Sequence, residues 1–76
     1  MITGNQLRAA RALVNWTQEE LATNAGVAPR TIRLFESGSR SPYARTVAQL
    51  QSTLEAVGIE FIVTQHGVGV MLLQKA

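Results

Sequence analysis

Residues 16–36 read Trp16-Thr17-Gln18-Glu19-Glu20-Leu21-Ala22-Thr23-Asn24-Ala25-Gly26-Val27-Ala28-Pro29-Arg30-Thr31-Ile32-Arg33-Leu34-Phe35-Glu36, and their spacing predicts two short helices joined by a tight turn. Thr17 followed three residues later by Glu20 is a capping box, and Trp16 before the cap can staple onto Leu21. Leu21, Ala22 and Ala25 then share one inward face, and Gly26 supplies the backbone freedom a sharp turn requires. Pro29 opens the next helix at its first position, where a missing N–H costs nothing. Ala28 takes the N-cap position without a capping oxygen. Ile32 and Phe35 form the inward face of this helix, with Leu34 either joining them or standing outside, and Gly38 is suited to a left-handed cap.

Upstream, Thr3 and Gln6 repeat the capping box, and Ile2 is placed to staple onto Leu7. Leu7, Ala10 and Val14, with Leu13 beside them, set a helical period from Gly4 to Val14, and Asn15 suits a left-handed exit. Downstream, Ser37-Gly38-Ser39-Arg40-Ser41-Pro42 has loop composition. A fourth helix is expected from Tyr43 to Val57, with Val47, Leu50, Leu54 and Val57 as its apolar stripe. After Gly58 the period falls to two. Ile59 to Thr64 and Val68 to Leu73 read as strands of a β-hairpin, with Gln65-His66-Gly67 as the turn. The expected fold is mainly α, with four helices in residues 1–58 and a C-terminal β-hairpin in residues 59–76.

A chain of 76 residues forms one small domain with a thin core, so association is an expected source of further stability. With 46% hydrophobic and 16% charged residues it is too apolar for a disordered tail. Cysteine and aspartate are absent, and His66 is the single histidine. Such a stock offers no nucleophile–base pair and no metal-ligand cluster, so neither catalysis nor a cofactor or metal is expected, and His66 reads as an exposed turn residue. No basic, apolar leader opens the chain, and the longest apolar run, Val68 to Leu73, is too short for a membrane span. The expected location is the cytoplasm. Charge is uneven. Residues 1–45 carry six arginines (8, 11, 30, 33, 40 and 45) against Glu19, Glu20 and Glu36, a net +3, whereas residues 46–76 carry Lys75 against Glu55 and Glu60, a net −1. Arginine suits phosphate forks and guanine edges, although a charge this small also fits a solvated surface.

Gln18 to Phe35 resembles the helix-turn-helix of the Cro/phage-repressor (Xre-like) family of bacterial regulators, and the likeness extends over residues 3–58. Trp16-Thr17-Gln18, Ala22, Gly26, Ile32 and Phe35 carry it, together with Arg30-Thr31-Ile32, Glu36-Ser37-Gly38 and Arg40-Ser41-Pro42. The resemblance implies that the second helix of the motif enters the major groove of double-stranded DNA and presents Pro29, Arg30, Arg33 and Leu34. Arg30 either reads a guanine through O6 and N7 or holds a phosphate. Leu34, at a position where the family commonly has a polar residue, either packs inward or touches a thymine methyl. Gln18 matches a family position that holds a phosphate at a helix N-terminus, and Thr31, Ser39, Arg40 and Ser41 are further candidate backbone contacts.

Arg11 follows Leu7 by four residues and so shares its inner face, an odd place for a charge. The resemblance implies a structural ion pair between Arg11 and Glu36. Trp16, Phe35 and Leu50 are expected core residues.

The second strand is apolar on both faces, and an isolated two-stranded hairpin is marginal in water. One face can cover the fourth helix. Phe61, Ile62, Val63, Val68, Val70, Met71, Leu72 and Leu73 are therefore expected to build a homodimer, unless the hairpin folds only onto its own domain. A dimeric, sequence-specific DNA-binding regulator follows, acting as a repressor because no ligand or activation domain is visible. The alternative is an antitoxin whose extra apolar surface covers a toxin partner while its helix-turn-helix regulates the operon.

Overall fold

The two capping boxes fix where the first two helices begin. In the computed structural model, which describes residues 1–74, Thr3 Oγ1 accepts from Gln6 N and Gln6 Oε1 accepts from Thr3 N, starting α1 (Gly4–Val14). Thr17 and Glu20 make the same reciprocal pair at the start of α2 (Gln18–Ala25). Asn15 and Gly26 close these helices in the left-handed conformation, at φ 59° and 68°. The third helix, α3 (Pro29–Glu36), starts at Pro29 with no side-chain cap from Ala28, and α4 spans Ala44–Glu55. Strands β1 (Ile59–Thr64) and β2 (Gly67–Leu72) pair antiparallel, with Ile59 opposite Leu72 and Thr64 opposite Gly67. Of the expected tail, Lys75 and Ala76 lie outside the described residues.

The core lies where the helices meet. Leu7, Leu21, Ile32, Leu50 and Leu54 are fully buried, joined by Ile2, Ala10, Ala22, Ala25, Phe35, Val47 and Ile59. Trp16, expected in the core, is half-buried and packs against its margin. Burying these side chains is the main stabilising term, at roughly 1.5–3 kcal/mol for each large aliphatic residue. The hairpin docks on the helices: β2 packs on α1 and β1 on α4. Gln6 fastens it. This buried side chain donates from Nε2 to Ile62 O at 3.0 Å and to Gly69 O at 2.9 Å, while its Oε1 closes the capping box.

Two further sequence expectations shift. Helix α4 ends at Glu55, not Val57, because Gly58 at φ 101° redirects the chain and Val57 N donates in a tighter turn to Leu54 O. Val57 is thereby carried off the apolar stripe and is exposed. The hairpin turn is Gln65–His66 alone. Gly67 already pairs with Thr64, whose Oγ1 accepts from both His66 N and Gly67 N. Leu34, whose place the sequence leaves open, stands outside the core cluster.

Candidate nucleic-acid interface

With Ile32, Phe35 and Glu36 buried, the 3.6-residue period turns Pro29, Arg30 and Arg33 to solvent, with Thr31 and Leu34 half-buried at the margins of the same face. The exit loop folds back beside them, because Ser39 N and Arg40 N both donate to Leu34 O, at 3.0 and 3.3 Å. Arg30, Thr31, Leu34, Arg40 and Pro42 consequently surround one depression of about 150 Å³. A wider open groove of about 640 Å³ continues from Thr31 and Arg40 past Gly26, Ser41 and Tyr43. Among the described residues, Arg30, Arg33 and Arg40 have no acidic partner. Three free guanidinium groups thus share one side of the molecule. Ser39 is exposed in the same loop and bonded to Ser37 through their hydroxyls at 2.9 Å.

Behind this face lies the expected ion pair. Arg11 Nε and Nη2 each donate to a Glu36 oxygen at 2.7 Å, a bidentate fork, and Nη1 donates to Trp16 O at 2.9 Å. The side chains are only 15% and 4% exposed. The hydrogen bond to Glu36 holds the Arg11 guanidinium above its ordinary value; burial opposes this, and the charges of Glu36 and Glu19 add to it. Arg11 therefore stays charged, and the pair ties α1 to α3.

Gln18 also reaches this centre. Its Nε2 donates to Glu36 Oε1 at 3.1 Å, and the residue is half-exposed at the start of α2. Eighteen residues separate the two, and no local sequence pattern announces the contact. Tyr43, also missed from sequence, is 79% exposed and lines the wide groove with Thr31 and Arg40. Its position directly after Pro42, at the N-cap of α4, was the available signal.

The family model described as helix-turn-helix matches residues 7–62, from α1 into β1. The chain belongs to the Cro/C1-type helix-turn-helix family. No curated protein matches it in sequence. As a member of this family it is a DNA-binding transcriptional regulator, of a kind that is not enzymatic. In helix-turn-helix terms α2 and α3 are the motif, and α3 is the helix whose exposed side carries Arg30 and Arg33. No helix among the described residues is long and apolar enough to cross a membrane, and no group of three or more acidic, histidine or cysteine side chains could hold a metal.

The eight residues expected at a dimer interface divide by environment. Phe61 and Val70 are half-buried against the chain's own core, and Ile62 is half-buried opposite Gly69. Val63, Val68, Met71, Leu72 and Leu73 are exposed.

Proposed function

We propose that the protein is a sequence-specific regulator that inserts α3 into the major groove and acts as a dimeric repressor. The observation that carries the reading is the unpartnered arginine face, with Arg30, Thr31 and Leu34 gathered beside Arg40 around one depression. Arg30, in the first turn of α3, reaches base edges, and its fork matches guanine O6 and N7. Arg33 and Leu34 follow along the same side. Gln18, Thr31, Ser39, Arg40 and Ser41 hold the phosphate backbone to either side. Repression requires only that a promoter be occupied, and a dimer lengthens that occupancy by engaging two half-sites. Selection of bound duplexes from a random library tests the reading. It should return inverted repeats with half-site centres one helical turn, about 34–36 Å, or a multiple apart. Recovery of unrelated sequences would overturn it.

A second reading is an antitoxin, favoured by the exposed apolar residues Val63, Val68 and Met71 of the hairpin. It predicts that the purified protein forms a fixed-stoichiometry complex with a different small protein in preference to itself.

A further inference from the structure

The hairpin leaves two open edges, and they are not equivalent. The two-residue turn makes Thr64 and Gly67 a hydrogen-bonded pair, so Ile62 with Gly69 and Glu60 with Met71 are bonded pairs as well. The bond from Leu73 N to Gly58 O at 2.8 Å continues the same alternation. The intervening residues point their N–H and C=O groups outward. These are Ile59, Phe61 and Val63 on the β1 edge, and Val68, Val70 and Leu72 on the β2 edge. None of these groups has a partner outside the hairpin among the described residues. Neither strand carries the proline or lysine that natural sheets use to blunt an edge.

The ground beside each edge differs. Gln6 marks the side of α1 that meets the hairpin. At 3.6 residues per turn, Leu13 and Ala9 continue round from Gln6 on the flank away from Leu7, Ala10 and Val14, on the helix that β2 packs against. Both are exposed, Leu13 at 41%. On α4, Gln49 bonds to Ala25 O of α2, and the opposite flank of the helix carries Gln51 and Glu55, bonded to each other at 3.1 Å. Strand β1 also holds Glu60, whereas β2 has no charge at all. A strand added beside β2 covers apolar surface and meets no like charge across a two-fold axis; one added beside β1 covers polar, acidic surface.

We propose that two copies of this chain join through the outer edges of β2, antiparallel and centred on Val70, into one four-stranded sheet. Val68 then exchanges backbone bonds with the partner's Leu72, and Val70 with the partner's Val70, while Leu13 and Ala9 lie beneath the added strand. This rests on the dimer reading given above and fixes the surface it uses.

Val68 and Val63 are cross-strand neighbours, 53% and 58% exposed, whose N–H groups point to opposite edges. Proline at either position removes an outward donor that the hairpin does not use. Sedimentation of the full chain at micromolar concentration should show a dimer for the parent and for Val63→Pro. Association of Val68→Pro, with its helical circular dichroism retained, should be weaker by about tenfold or more. Amide exchange on the parent gives an answer that needs no variant. Val70 and Leu72 amides should be slowed about tenfold relative to Phe61 and Val63, and dilution should abolish the difference. Protection of Phe61 and Val63 instead, or a dimer lost on Val63→Pro and kept on Val68→Pro, would overturn the β2 assignment while leaving the dimer. A parent that is monomeric throughout, or that associates only with a different protein, would overturn the dimer reading itself.

Discussion

Gln18 and Arg11 share one acceptor: Glu36 Oε1 lies 3.1 Å from Gln18 Nε2 and 2.7 Å from Arg11 Nη2. A single buried carboxylate thus sets both the angle between α1 and α3 and the orientation of the amide at the start of α2. Its desolvation is tolerable because three donor bonds from two side chains surround it. Removing Arg11 leaves the Glu36 charge uncompensated. We expect Arg11→Ala to cost about 3–5 kcal/mol in urea denaturation. An unchanged midpoint would show that the fork contributes nothing.

Gly4 is required by close approach. A Cβ there would stand 2.1 Å from Phe35 O and 2.9 Å from Phe35 C, both backbone atoms that cannot rotate away. Alanine is the better helix former by about 1 kcal/mol, so without this contact Gly4→Ala would stabilise. The clash should prevail, costing about 1–3 kcal/mol as α1 and α3 are forced apart. Thermal unfolding of the variant should show a lower Tm, by roughly 4–8 °C per kcal/mol lost. A raised Tm would contradict the packing described.

Gln6 is bonded both to its own helix cap and to the hairpin. Gln6→Ala removes half of a capping box and two bonds to hairpin carbonyls, leaving Ile62 O and Gly69 O without their side-chain donor. The expected loss is about 1–3 kcal/mol, concentrated in the hairpin. Hydrogen exchange should quicken at the Ile62 and Gly69 amides before it does in α4, whereas a uniform change over the chain would show that Gln6 does not fasten the hairpin.

Much of this architecture was legible because it is local. Thr3 with Gln6, and Thr17 with Glu20, announce helix starts within four residues, and the structure shows both boxes closed. The change of period after Gly58 announces the hairpin in the same way. What the sequence hid is long-range. Nothing near Gln6 says that its amide reaches Ile62 and Gly69, and nothing near Gly4 says that Phe35 lies against it. Arg11 could be singled out only because a charge on the inner face of α1 is anomalous; its partner came from family resemblance. Leu34 was ambiguous because its helical position lies on the boundary between faces. In the fold it is half-buried and lines the small depression beside Pro42 and Arg40.

Arg40 sits on the exit loop and is exposed. As a phosphate contact it should act alike on every sequence. Arg40→Ala should weaken binding to selected and unselected duplexes by the same factor and reduce the slope of log K against log salt by about one. An unaltered slope would remove Arg40 from the interface.

Arg30 gives the most direct test of base reading by the exposed side of α3. Fluorescence titration should compare parent and Arg30→Ala on a selected duplex and on the same duplex with each guanine replaced in turn. The account predicts that Arg30→Ala costs about 1–3 kcal/mol on the selected site, with one guanine position losing its preference and the others unchanged. Equal weakening on every duplex, with the base preferences of the parent intact, would make Arg30 a phosphate contact and contradict base reading by this residue.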